Sequence, residues 1–287
     1  MQKKKVAMVI GSGSVKCAAA LGLHNVLTRE GIDVDMFVGC SGGSLYAAAL
    51  AAGHDGAGSA KLAAKLWTRE VTSKRHTMSM LRALMPKMFG FDTTFGLRDD
   101  RLVLERIRDA FGDLRIEEAK SALHITATDL ATGDQVVFSS GSTVDAIRAS
   151  IAIPYIFKPW PVDGRLLIDG FMSDPLPVNV AIREGAEVIV AMGFESPMQT
   201  RMTSVGRFSF QLSSIMTNNL LKSRFAFNNI AHHAEVILIV PEFSERIRLF
   251  DTHKIDTIIA DGERAAEQQM PYIRRLLGMD EQREAAS

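Results

Sequence analysis

The residues Gly39-Cys40-Ser41-Gly42-Gly43 form a G-x-S-x-G sequence between a short apolar run, Val34 to Val38, and a stretch rich in Ala and Leu, Leu45 to Ala52. A serine on a sharp strand-to-helix turn takes a strained backbone conformation that aims its hydroxyl out of the end of the sheet. Glycine at the flanking positions removes the collisions such a turn creates. The helix that follows points its first N–H groups and positive dipole end at the same place, where a developing oxyanion would be held. The chemistry expected of Ser41 is nucleophilic attack on a carbonyl. Because a chain with 22 glycines can meet a five-residue pattern by chance, the reading rests on the strand before and the helix after.

A serine nucleophile needs a proton acceptor. Of the seven histidines, His24, His54, His76, His124, His232, His233 and His253, only the last three stand late enough to follow the Ser…Asp…His order. His232 and His233 are adjacent and point apart in any regular element, which also makes them a poor metal pair. Asp169 fits better. It ends an apolar hairpin strand, is followed by Gly170, which leaves approach to it open, and lies 128 residues beyond Ser41. The same Asp-Gly pair also suits a plain β-turn.

A second glycine-bearing loop, Gly11-Ser12-Gly13-Ser14, follows the apolar run Val6 to Ile10 and precedes a helical pattern over Val15 to Arg29. A dinucleotide fingerprint needs Gly at position 16, where Lys stands, although Asp33 and Asp35 follow at a suitable distance; a P-loop needs G-x-x-x-x-G-K-[ST], which is absent. The third reading makes this loop an oxyanion hole facing Ser41 across two neighbouring parallel strands.

The elements that must position these residues follow from periodicity. Buried strands are expected at Val6 to Ile10 and Glu187 to Met192. Further strands are expected at Leu123 to Thr128, Asp134 to Ser139 and Val236 to Val240, with a hairpin at Pro161 to Ile168 turning at Asp163-Gly164. Helices are expected at Ala60 to Trp67, Asp99 to Phe111, Val144 to Ile151 and Val178 to Glu184, then two over Arg207 to His233, and a last one from Ile255 to Leu277. The stretch Lys74 to Phe89 carries Met, Leu and Phe at helical spacing among basic residues. It fits a core-packing helix with solvated charges, or a lid or interfacial helix touching lipid.

At 287 residues the chain is long enough for one large α/β domain. With 33 basic and 33 acidic residues, it has no net charge to drive nucleic-acid binding. Cys17 and Cys40 cannot form a disulfide framework, so a reducing, cytoplasmic setting is the simpler expectation. The run Val6 to Ile10 is too short for a secretory h-region, and no stretch approaches the roughly 18 apolar residues of a spanning helix. Peripheral contact with the inner membrane face stays open. No ligand cluster points to a metal, and no cofactor is expected.

Four blocks together carry a family resemblance: the loop Gly11 to Lys16 after the first strand, the elbow Gly39 to Gly43, Ala146-Ile147-Arg148-Ala149-Ser150-Ile151-Ala152-Ile153-Pro154, and Asp169-Gly170. In order and spacing, from Val6 to about Val190, the chain resembles the bacterial patatin-like phospholipases. The resemblance implies a three-layer α/β/α fold with a mainly parallel central sheet, in a single domain over 1–287 that residues 207–277 complete. It implies a lipid acyl hydrolase acting on phospholipid, lysophospholipid or acylglycerol through a Ser41 nucleophile and an Asp169 base. Gly11, Ser12, Gly13 and the N–H of Gly42 would form the oxyanion hole, with Lys16, Gly39, Gly43, Gly170 and Arg148 in support. An acyltransferase or thioesterase would use the same pair, and an inactive lipid-binding module would keep only the fold. Ser12 and Cys17 replace family glycines, and Phe171 and Asp174 replace Gly and Asn. Cys17 is expected to crowd the loop and Phe171 to narrow the acyl site.

Overall fold

Val6–Ile10 forms strand β1 in a computed structural model of the chain, which describes residues 3–66, 70, 96, 98–196, 198, 201–203, 205–231, 234–248 and 251–280. Both edges of β1 pair in parallel, with β2 (Met36–Cys40) and with β7 (Val188–Met192). Beyond them β3 (Ala122–Asp129) pairs in parallel with β2, and β8 (Glu235–Ile239) with β7. Strands covered on both faces read as continuous apolar runs, which is why VAMVI and VIVAM announce themselves. The antiparallel part of the sheet comes from β4 (Gln135–Phe138), β5 (Trp160–Val162) and β6 (Arg165–Asp169), in the order β5-β6-β3-β2-β1-β7-β8 with β4 on β3.

Side chains alternate across a strand, and β1 separates two cores accordingly. Val6, Met8 and Ile10 pack with α1 (Ala19–Arg29), α2 (Gly42–Ala51), α3 (Gly56–Leu66), α4 (Arg101–Phe111), α5 (Thr143–Ser150) and α8 (Ile255–Leu276). Ala7 and Val9 pack with α6 (Val178–Arg183) and with Leu221 of α7 (Val205–Ala231). Helices on both faces of a mostly parallel sheet make the expected three-layer α/β/α fold.

α1 and α8 cross with their backbones in contact. A Cβ on Gly22 would lie 2.2 Å from the Ile259 carbonyl, and one on Gly262 would lie 2.1 Å from that of Ala19. Arg29–Glu267 at 2.7 Å and Arg274–Glu30 at 2.5 Å flank the crossing. The late part of the chain is thereby bound to its first helix.

Three local expectations change. Residues 205–231 make one helix instead of two; Asn218 does not break it because its side chain bonds to Ser196 rather than to its own backbone. The first helix opens as a 3-10 turn, Ser14–Ala18, and β2 lies two residues later than the apolar run suggested. The Met-rich stretch at 74–89, Trp67, His76, His232 and His233 fall outside the described residues. Among the described residues no helix is long and apolar enough to cross a membrane.

Candidate active site

Strand register explains how residues 128 positions apart meet. β2 runs parallel to β3 and ends with Cys40 opposite Thr126, whereas β6 runs antiparallel to β3 and ends with Asp169 opposite Ala127. β4 already covers one edge of β3 from Ile125 to Thr128, so β2 and β6 must share the other. Their carboxyl ends therefore converge on adjacent positions of a single strand. Gly170 sits in the junction, where a Cβ would lie 2.5 Å from the Thr126 carbonyl and 3.0 Å from Cys40 Sγ.

Ser41, the residue after β2, has φ 54° and ψ −129°, a conformation that L side chains rarely adopt. Neighbours fix it there. Its N–H donates to Ser150 Oγ at 2.8 Å, Ser150 Oγ donates to the Thr126 carbonyl at 2.7 Å, and the Ser41 carbonyl accepts from Ser44 Oγ at 2.6 Å. A Cβ on Gly43 would lie 2.3 Å from the Ile10 carbonyl, and one on Gly42 would lie 2.8 Å from Ser14 Cα, so the elbow seats directly on the end of β1 and on the glycine loop. Gly39 meets the Ser44 backbone as closely.

Ser41 Oγ donates to Asp169 Oδ2 at 2.7 Å. Asp169 is fully buried, and its Oδ1 accepts from the Phe171 N–H at 3.1 Å. Burial pushes its carboxyl up to about 7, against the lowering effect of the Ser41 and Phe171 hydrogen bonds. Burial likewise pushes Asp174 up to about 6; its Oδ1 accepts from the Leu176 N–H. Cys17 and Cys40 are buried and their thiols are pushed well up by the same cause, so neither is poised as a thiolate.

The glycine loop departs from the expected donor set. The Gly11 N–H donates to the Met192 carbonyl at 3.0 Å and the Ser12 N–H to the Pro175 carbonyl at 2.8 Å, so both are committed to holding the loop against β7 and the segment before α6. Among the described residues, the N–H groups of Gly13 and Gly42 have no such partner. Cys17 does not crowd the loop: its side chain turns inward and Sγ donates to the Gly11 carbonyl at 3.3 Å. Lys16 Nζ donates to the Glu195 carbonyl at 3.2 Å and lies 5.4 Å from the centre of the Phe243 ring.

Arg148 is buried on α5, ion-paired with Asp100, donating to the Lys158 carbonyl at 3.1 Å and stacked 4.9 Å from the Trp160 ring. It braces the helix that carries Ser150 and has no hydrogen bond to Ser41 or Asp169. The described histidines lie elsewhere: His124 contacts Ser139, His24 packs on Phe37, and His54 and His253 are exposed. Residue types alone did not single out Ser150, Ser44 or Thr126, since each acts on or through a backbone group: Ser150 on the Ser41 N–H, Ser44 on the Ser41 carbonyl, and Thr126 through its own carbonyl. The signal for Ser150 was its place in the block 146–154.

The family model described as patatin-like phospholipase matches residues 8–182. An uncharacterized NTE family protein of Mycobacterium tuberculosis is 34% identical over 188 residues, covering 66% of this chain and 48% of its own length. The patatin-like phospholipase domain-containing protein 7 of Mus musculus is 29% identical over 206 residues, covering 70% of this chain and 14% of its own. The chain thus spans about half the length of the mycobacterial relative and a smaller share of the murine one. Among solved structures, VipD from Legionella pneumophila shares the fold, with a TM-score of 0.51 at 14% identity over 95% of this chain and 67% of that one. The match over 8–182 takes in the glycine loop, the elbow and Asp169, and the chain belongs to the patatin-like phospholipase family.

Proposed function

We propose that the chain is a serine acyl hydrolase of lipid esters, with Ser41 as nucleophile and Asp169 as general base, built in one domain that β8 and α8 complete. The observation that carries this is the 2.7 Å hydrogen bond from Ser41 Oγ to a fully buried carboxylate, on an elbow beside two N–H groups, of Gly13 and Gly42, without a backbone partner among the described residues. The family match supports lipid as the substrate class.

Asp169, ionised, takes the Ser41 proton as Oγ attacks the ester carbonyl. The C=O electron pair moves to oxygen, and the N–H groups of Gly13 and Gly42 hold the oxyanion. When the intermediate collapses, Asp169 returns the proton to the departing alkoxide and the acyl group remains on Ser41. Water then loses a proton to Asp169 and attacks the acyl-serine; as the second intermediate collapses and releases the carboxylic acid, Asp169 returns that proton to the departing Ser41 Oγ. A free aspartate, at about 3.9, is a weak base for this work; a carboxyl raised to about 7 holds protonation and driving force in better balance near neutral pH. A fluorophosphonate should label the wild type and leave Ser41→Ala unlabelled, while short and long acyl esters are turned over by the wild type alone. A wild type that neither labels nor turns over any ester ends the hydrolase reading.

A further inference from the structure

The outward face of α7 has the reverse of the usual pattern for a surface helix. Phe208, Leu212, Ile215 and Met216 recur at i, i+4, i+7 and i+8, which places them on one face, and they are 38% to 69% exposed. The side turned to the protein carries Ser214, Thr217 and Asn218 along with Leu221. Met198 and Met202, also exposed, precede the helix, and Gln211 Nε2 reaches Met198 Sδ at 3.4 Å. A helix that hides its polar residues and shows its large apolar ones is suited to an apolar medium.

Charge identifies the medium. Residues 196–220 hold Arg201 and Arg207 and no Asp or Glu, in a chain whose 33 acids balance its 33 bases overall. Both are exposed; farther along the helix Lys222 pairs with Glu195 at 3.5 Å and Arg224 acts on Asp174. A second copy of this surface would be repelled, whereas an anionic lipid surface would be attracted.

Its place in the fold brings it to the site. Leu221 lies level with Gly193, the first residue after β7. The chain from Leu221 to Ala231 spans about 15 Å of helix, enough to run back along a strand of about 17 Å to the start of β8. Val205 to Leu220 therefore belong to the carboxyl-end side of the sheet, where β2 delivers Ser41. The link to the glycine loop is direct. Asn218 brackets Ser196 by two hydrogen bonds of 2.8 and 3.0 Å, Lys16 donates to the Glu195 carbonyl, and a Cβ on Gly13 would lie 2.6 Å from the Phe194 ring.

We propose that the amino-terminal half of α7, with Met198 and Met202, is a docking surface for anionic lipid bilayers that sets the chain down with its Ser41 end toward the membrane. This deepens the hydrolase reading and rests on it only for the idea that the docked lipid is also substrate. Binding is measured without turnover, by sedimenting the full chain with phosphatidylcholine vesicles with and without phosphatidylglycerol. Wild type and Ser41→Ala should both sediment with the mixed vesicles. The triple variant Phe208→Ser, Leu212→Ser, Met216→Ser should lose roughly tenfold or more in apparent affinity. Arg201→Glu with Arg207→Glu, both at exposed positions and separately checked for folding by circular dichroism, should abolish the preference for phosphatidylglycerol. Equal binding by wild type and both variants would overturn the proposal, as would a wild type that binds no vesicle, or a stripe whose loss converts a dimer to a monomer with vesicle binding unchanged. A wild type that binds vesicles but hydrolyses no soluble ester would leave the docking surface standing and remove the hydrolase; soluble ester turnover without vesicle binding would do the opposite.

Discussion

Ser41 and Asp169 touch each other, yet the fold constrains them in different ways. At Ser41 the constraint is in the backbone: a left-handed φ of 54°, pinned by Ser150 and Ser44. Asp169 has an ordinary extended conformation, φ −50° and ψ 135°, at the end of a regular strand, and its constraint is electrostatic, a fully buried carboxyl raised from 3.8 to about 7. A strained φ/ψ costs about 1 to 3 kcal/mol. A buried carboxyl raised to about 7 opposes folding when it is ionised. The cost at Ser41 is therefore present at every pH, whereas the cost at Asp169 opposes folding only under conditions in which the carboxyl is charged.

The largest test removes either half. Ser41→Ala and Asp169→Asn should each lower kcat/KM for an ester by about 10⁴-fold, and the double variant should be little worse, because the two act as one unit. An Asp169→Asn protein that kept more than about a tenth of the activity would break the pairing. Next is Gly43→Ala, which forces a methyl to within 2.3 Å of the Ile10 carbonyl and 2.6 Å of the Gly11 carbonyl, both of them backbone atoms. A loss of about 3 kcal/mol in denaturant unfolding is expected, with activity falling as the elbow lifts from β1.

Away from catalysis the same pair predicts gains. A carboxyl whose folded pKa lies above its unfolded value gives the native state stability that is fully present below the unfolded value and is lost as pH rises through the folded one. For Asp169 that loss runs from about pH 4 to about 7, and Asp174 contributes in the same direction up to about 6. Activity should rise over the upper part of the same range as Asp169 ionises, so the pH profiles of stability and turnover cross. Asp169→Asn should stabilise the chain by about 2 kcal/mol near pH 8, by less near pH 5, and leave the Asp174 contribution in place. The smallest effect is Ser41→Gly, a gain of about 1 kcal/mol from relief of the left-handed φ, which Ser41→Ala should not share. Equal unfolding midpoints for the Gly and Ala variants would mean that the elbow backbone stores no strain.

What the sequence made legible and what it hid divide along physical lines. The parallel strands and the elbow were readable because burial on two faces and a strand-turn-helix leave local marks, as in VAMVI and VGCSGGS, and the three-layer fold came with the family resemblance of four blocks in register. The convergence of β2 and β6 on β3 left none, since it depends on strand register over more than 100 residues. The glycine loop was found, but which of its N–H groups are free was not, because Met192 and Pro175 claim two of them from distant segments. Asn218, which nothing in the sequence marks, is a clamp on Ser196 within a helix that was expected to be two. The thiol of Cys17 looked like an obstruction and proves to be a donor to Gly11.

The meeting of two strand ends on a shared third strand also orders events in time. Ser41 leaves the ribosome long before Asp169, and the two meet only when β3 has been joined by β2, paired through Met36 and Ala122, and by β6, paired through Ala127 and Asp169; the first of these is the contact of higher sequence separation and the slower to form. Until then the elbow serine has no proton acceptor. On the proposed mechanism a nascent, truncated or partly unfolded chain is chemically silent, and turnover in a refolding experiment is expected to serve as a clock for the moment β2 and β6 both sit on β3.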